Sequence, residues 1–388
     1  MPRPNCFVPH VILILGLALA TNGVDADDSR VRFATFNASL NRPAAGRLIQ
    51  DLCLPNNRQA QQIAEIIQHV RPDVLLINEF DYDERGLAAD GFAANYLAIA
   101  QNKQSPIEYK FRYLAPVNTG VPSGLDLDQD GSTAGPGDAF GYGEFPGQYG
   151  MLVLSRFPIE VALVRTFQTF LWRDMPNSLL PGSYYGEDQR AILRLSSKSH
   201  WDLPLKIGDQ TVHFLCAHPT PPVFDGSEDR NGRRNHDEIR FWADYIDASR
   251  SIYIYDDAQR RGGLSADARF VIAGDMNADP LDGDSTADAI NQLLRHPLVD
   301  SVTIPASKGA TEKNTFDAGV NTRHRGNPSH DTTDFTDRSV GNLRLDYVLP
   351  SKSLRTVKVG VFWPATQSPG HELVEASDHR LTWIDIEL

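Results

Sequence analysis

The apolar runs of this chain are most informative where they stop. Val31–Phe36 reads as a strand and ends at Asn37, and Val74–Ile77 reads as a buried strand that runs into Asn78, Glu79 and Phe80. Thr211–Ala217 ends at His218 and is stopped by Pro219, Pro221 and Pro222, while Arg269–Ala273 leads into Gly274, Asp275, Met276 and Asn277. Later runs lie around Leu343–Leu349 and Leu381–Ile386. Between the first two strands, Ile63, Ile66, Ile67 and Val70 recur at three-four spacing, which predicts a helix over 57–70 that Pro72 ends. Asn235-His236-Asp237-Glu238 has the form of an N-cap with an acid three residues on. A second amphipathic helix is therefore expected to start near Asn235, with Ile239, Trp242, Ala243 and Ile246 on its buried face. Strands and helices alternate early, and strands that look antiparallel follow, which gives a mixed α/β class. The stretches 116–150 and 314–342 are rich in Gly, Asp, Thr and Asn and read as long surface loops.

Length and composition add bounds. The 388 residues, 41% apolar and 22% charged, suit a globular chain with a sizeable core, in one large domain or two. Thirty-seven basic against 50 acidic residues leave a net charge of −13, which argues against a broad basic surface for gripping long polyanions. It does not exclude a phosphate substrate, because a carboxylate-bound cation can meet the phosphate. Arg3 precedes an apolar run from Val11 to Ala20, too short to span a bilayer and suited to a signal peptide. Residues 1–26 are thus expected to be a leader cleaved after Ala20 or Ala26, making the mature chain, 27–388, secreted or periplasmic with no stable membrane span. Of the cysteines only Cys53 and Cys216 follow the leader, so one bridge at most joins them.

The candidate chemistry sits at the strand ends. Asn37, Glu79, His218, Asp275 and Asn277 each follow an apolar run, where a sheet delivers such residues to one edge, and Asp346 and the Asp378-His379 pair join them. Each alone is a weak signal. Together and in this order, Phe36-Asn37, Asn78-Glu79-Phe80, the His218 segment, Gly274–Asn277, Leu345–Val348 and Ser377–His379 resemble the motifs of the endonuclease/exonuclease/phosphatase superfamily, the deoxyribonuclease I-like fold. The stretch Gly147–Ile159 is also similar to that family's central strand, and the resemblance runs from about Val31 to the C-terminus.

The resemblance implies a single four-layer α-β-β-α sandwich of two packed mixed sheets, with the 116–150 stretch as a loop insert. It also implies metal-assisted hydrolysis of a phosphoester. Glu79 is a hard oxygen ligand suited to Mg²⁺ or Mn²⁺, with Asn37 supplying an amide oxygen or a phosphate contact and Asp378 supporting that site or a second cation. His379 resembles the family's general base or phosphate-stabilising histidine, with Asp346 orienting its ring. Asp275 resembles the carboxylate that activates water, Asn277 the amide that binds phosphate, and His218 a donor to a non-bridging oxygen. The chain departs from the repair nucleases of the family at Ser39, where they carry an acid, and this weakens the case for a second metal.

Three further features stand apart from these motifs. Asp126, Asp128 and Asp130 with Gly131 match the start of a calcium loop, although position twelve is Gly137 rather than Glu, with Asp138 next. Arg230, Arg233 and Arg234 precede the helix expected near Asn235, where they read either as a phosphate-receiving helix start or as a solvated turn. The Asp331–Asp334 segment reads as a polar loop near the site. Two function classes result: a metal-dependent phosphoesterase acting on nucleic acid or a smaller phosphodiester or monoester, and a non-catalytic binding or scaffolding member. Retention of Glu79, Asp275 and His379 favours catalysis.

Overall fold

In the computed structural model, which describes residues 30–286 and 288–388, the apolar runs become strands buried on both faces. The strands are β1 (Arg30–Asn37), β2 (Val74–Asn78), β3 (Phe111–Tyr113), β4 (Met151–Ser155), β5 (Arg165–Thr166) and β6 (His200–Ile207). After these come β7 (Gln210–Ala217), β8 (Arg269–Asp275), β9 (Asp346–Pro350), β10 (Arg355–Val361) and β11 (Thr382–Glu387). The helices are α1 (Arg47–Leu52), α2 (Arg58–Val70), α3 (Leu87–Phe92), α4 (Glu187–Ile192), α5 (Arg230–Tyr245), α6 (Asn291–Leu294) and α7 (Lys308–Asp317). One sheet runs β10-β11-β1-β2-β4-β3 and the other β5-β6-β7-β8-β9.

Alternation along each strand assigns its two faces. Val31 and Phe33 of β1 and Val74 and Leu76 of β2 point between the sheets, where they meet Leu203, Leu205, Phe214 and Val271. Ala34, Phe36, Leu75 and Ile77 point the other way, onto the Ile63, Ala64 and Ile67 face of α2. Outside the second sheet, Ile272 and Leu215 pack on Ile239 and Trp242 of α5. The result is the expected four-layer sandwich of two mixed sheets, and burial on both faces explains the unbroken apolar runs. Asn57 caps α2 by accepting the Ala60 N–H at 3.0 Å.

Topology then fixes where the strand ends go. β1 runs parallel to β2 with Asn37 opposite Asn78, and β7 runs parallel to β8 with Cys216 opposite Ala273. Both parallel pairs therefore end at the same side of the sandwich. β9 runs antiparallel to β8, with Asp346 opposite Asp275, and β11 runs antiparallel to β1, so their first residues arrive at that side as well.

Several expectations are corrected. β6 was not foreseen because Pro204 interrupts its pattern; it is tolerated because β5 pairs only as far as Asp202 and Trp201. α5 begins at Arg230, not near Asn235, so Arg230, Arg233 and Arg234 form its first turns. The Arg234 guanidinium is spent on the backbone carbonyls of Phe140, Arg194, Leu195 and Ser196 rather than on a ligand. The 314–342 stretch is not simply a surface loop, since α7 extends into it and Asp331, Thr332 and Thr333 are buried. In 116–150, bridges Thr119–Gly141 and Pro122–Ala139 tie the loop back on itself. Cys216 lies in the core between the sheets and Cys53 at the end of α1 on the outer layer, so the two form no bridge with each other. The leader falls outside the described residues.

Candidate active site

The shared end of the two sheets brings most of the sequence-predicted residues together. Asn37, at the end of β1, donates from Nδ2 to Asp275 Oδ2 at 3.1 Å and also bonds the Glu79 side chain, so one amide ties a carboxylate of each sheet. Glu79 follows β2 in the left-handed region, with φ 58°, as do Ser39 and Asn277 with φ 48° and 50°. Such backbone costs about 1 kcal/mol or more for a residue with a Cβ. Here it turns each chain sharply off its strand. Asn41 Nδ2 donates to Glu79 Oε2 at 2.7 Å.

Asp275 is the hub. Its Oδ1 accepts the Asn277 N–H at 2.9 Å, and its Oδ2 lies 3.4 Å from His218 Nε2 and 3.5 Å from His379 Nε2. His379 Nδ1 contacts Asp346 Oδ2 at 2.9 Å, and the same oxygen accepts Thr332 Oγ1–H at 2.8 Å. Asp346, His379 and Asp275 thus form a buried line whose three ligand atoms lie within 4.8 Å of one another, a group that could itself hold a metal. Asn277 Nδ2 donates to the Pro219 carbonyl at 3.1 Å, which joins the turn after β8 to the segment after His218.

Burial dominates the electrostatics. It pushes Glu79 above the usual carboxylate range although Asn37, His379 and Lys198 pull the other way. It raises Asp275 to about 6, against the nearby His379 charge. Burial opposes a charged His379 ring, but Asp346 and Asp275 outweigh it and push His379 up to about 10. His218 is held well below its usual range by burial, then by Lys198 and His379, so it is neutral where His379 is cationic. Two neighbouring imidazoles with opposite charge states offer a donor of fixed charge and a neutral ring on one carboxylate.

Asp378 is placed differently. It is exposed at the rim, where its Oδ1 accepts Ser39 Oγ–H at 3.2 Å, and it reaches the buried groups through its charge. The fit to a divalent cation rests on Glu79 and Asn37. One half-buried carboxylate backed by amide groups is the sparse, hard-oxygen set that Mg²⁺ uses while keeping its waters. In the 116–150 stretch, Asp126, Asp128 and Asp130 do converge within 4.8 Å. Asp138 is instead buried and committed to the Leu127 N–H at 2.8 Å.

Sequence reasoning missed Thr332, Glu238 and Lys198. Thr332 lay within an apparent loop. Glu238 lay on the predicted helix but carried no family motif; it is buried and accepts the N–H groups of Ser197 and Thr220, each at 2.6 Å. Lys198 precedes a strand that the sequence did not reveal.

A two-sheet sandwich that draws carboxylates, amides and imidazoles from the ends of strands in both sheets has deoxyribonuclease I-like architecture. The chain belongs to the Endonuclease/Exonuclease/phosphatase family, whose profile matches residues 34–379. No curated protein sequence matches it. Among solved structures it is similar to an endonuclease/exonuclease/phosphatase from Beutenbergia cavernae, with 17% identity, TM-score 0.51, and coverage of 93% of this chain and 72% of that one. It is also similar to sphingomyelinase C from Streptomyces griseocarneus, at 17% identity, TM-score 0.46 and coverage of 92% and 99%. Truncated TDP2 from Caenorhabditis elegans matches at 17% identity, TM-score 0.46 and coverage of 92% and 98%.

Proposed function

We propose that this chain is an exported, divalent-metal-dependent phosphoesterase that hydrolyses a phosphodiester or phosphomonoester by in-line attack of water. The observation that carries the reading is the buried Asp346–His379–Asp275 line beside His218, Asn37 and Glu79. Glu79 and Asn37 would hold Mg²⁺ or Mn²⁺, which when bound supplies Lewis-acid polarisation of a phosphoryl oxygen. Asp275, ionised above about pH 6, accepts a proton from the attacking water. His379 stays cationic through neutral pH and offers Nε2–H to the developing charge, with Asp346 holding Nδ1 and so fixing the ring. His218 and Asn277 contact non-bridging oxygens. The acidic surface favours neither tight nor processive binding of long nucleic acid, so a nucleic acid and a smaller phosphoester both remain within the substrate class. The Asp126–Asp130 carboxylates are read as a structural calcium site.

The test is release of phosphate, nucleotide or p-nitrophenol by the mature protein with Mg²⁺, Mn²⁺, Ca²⁺ or EDTA. Plasmid DNA, RNA, bis-p-nitrophenyl phosphate and a phospholipid serve as substrates, and Glu79→Ala and His379→Ala as controls. Metal-dependent turnover lost in both variants is expected. Turnover that survives EDTA or both substitutions refutes the mechanism, and Mg²⁺ binding without turnover on any substrate favours the binding role instead. A Ca²⁺-dependent rise in Tm that Asp128→Asn removes is the matching check on the calcium loop.

A further inference from the structure

Lys198 lies in the Ser196–Ser199 run before β6 and is 6% exposed. A lysine so covered is ordinarily ion-paired. Yet among the described residues its ammonium makes no hydrogen bond or ion pair, and Nζ is not one of the fully enclosed polar atoms. The butyl stem is therefore packed away while the ammonium reaches open space. The adjacent Ser197 Oγ donates to the His218 carbonyl at 3.5 Å, and Ser197 and Thr220 share the Glu238 carboxylate, so Lys198 leaves the backbone beside the His218 segment of the site, where its charge acts on Glu238, Glu79 and Asp275.

The backbone that carries Lys198 is fixed from three directions. Glu238 on α5 accepts the Ser197 N–H at 2.6 Å, and the Lys198 carbonyl accepts the Asn118 N–H at 2.9 Å. Gly141 packs so closely that a Cβ there would lie 2.0 Å from the Ser197 carbonyl oxygen. Glu238 acts on Lys198 through its charge but makes no ion-pair contact with it, and its two oxygens accept the Ser197 and Thr220 N–H groups. The same carboxylate thereby locks Lys198 to the segment that follows His218. An ammonium at the end of a buried stem, anchored beside the His218 segment and without a protein acceptor, is arranged for an anionic oxygen that arrives from outside.

We propose that Lys198 is a phosphate-contacting residue whose Nζ–H donates to a non-bridging oxygen of the substrate's phosphoryl group, next to His218. This rests on the phosphoesterase reading, so the test separates the two. Inorganic phosphate binding is measured by calorimetry in Mg²⁺ beside hydrolysis of bis-p-nitrophenyl phosphate, for the wild type and for Lys198→Met, which keeps the stem and removes the charge. Phosphate affinity is expected to fall about tenfold or more, the loss of one charge-assisted hydrogen bond, and kcat by about a hundredfold, while Mg²⁺ affinity does not weaken, since a positive charge near Glu79 is removed. A second measurement needs no variant: acetic anhydride labels wild-type lysines, and peptide masses give the rate at each site. Phosphate should slow acetylation of Lys198 severalfold and leave that of the exposed Lys103 unchanged. Undiminished phosphate affinity in folded Lys198→Met, or a Lys198 that phosphate does not shield, overturns the assignment. Wild-type protein that hydrolyses no phosphoester while phosphate shields Lys198 overturns the phosphoesterase reading and leaves the anion contact standing.

Discussion

Replacing Asp346 with Asn probes the site most directly, because it removes one charge and keeps an acceptor oxygen in place. His379 stands at about 10 against an ordinary 6.5, and at about 1.4 kcal/mol per pH unit the site favours its charged ring by on the order of 5 kcal/mol. Asp346 makes the 2.9 Å contact to Nδ1, whereas Asp275 sits 3.5 Å from Nε2, so Asp346 supplies the larger part. In Asp346→Asn the His379 pKa should fall by about two pH units, an effect typical of losing an adjacent charge. The alkaline limb of the rate profile then moves from about 10 toward 8. The loss in kcat should reach about tenfold at pH 9 and be much smaller at pH 6, where the ring is still protonated. Stability depends on pH in the opposite direction: a raised histidine stabilises fully below 6.5 and loses that contribution as pH rises through about 10, so the variant loses most stability at low and neutral pH. Steady-state kinetics from pH 5 to about 10.5, with an NMR titration of the imidazole, are the assay. A loss of equal size at pH 6 and pH 9, with the alkaline limb unmoved, refutes a role through His379 charge.

Glu79→Gln should abolish measurable Mg²⁺ affinity yet raise the metal-free Tm, because burial raises the Glu79 pKa and the ionised carboxylate destabilises the fold as pH rises; a lowered Tm contradicts this. His200 is buried with its pKa held near 4, its Nε2 at 2.9 Å from the Glu238 carbonyl and its Nδ1 at 2.6 Å from Ser196 Oγ. The unfolded chain therefore binds the extra proton between pH 6.5 and 4, and stability should drop by on the order of 3 kcal/mol across that window. Urea unfolding of wild type and His200→Gln at pH 7 and 4.5 checks it, and parallel losses in the two proteins count against it. Ile67→Ala, at a fully buried site under the first sheet, should cost about 2–5 kcal/mol in urea unfolding and leave KM unchanged. Expressed with its leader in an exporting host, the chain should begin between Thr21 and Asp27, and N-terminal sequencing that finds Met1 or Pro2 refutes the leader.

The residues that form the floor of the site were legible because of where the sequence stops being apolar. Strands buried on both faces leave no room for polar side chains until the chain emerges, so Asn37, Glu79, His218, Asp275 and Asn277 marked the emergence points by themselves. The helix over Arg58–Val70 was equally plain, since its capping Asn57 and its apolar spacing are local properties. Tertiary structure decided the rest. It placed Asp346 opposite Asp275 across an antiparallel pair, and set His379 between two carboxylates, which reversed the effect of burial on its charge. It buried Thr332 out of an apparent loop, turned Arg234 from a candidate ligand into a backbone clamp, and tied the Lys198 segment to the chain around His218. Periodicity reports which side of an element faces the core. The charge state and reach of a side chain depend on neighbours hundreds of residues away, and only the packed sandwich brings those together.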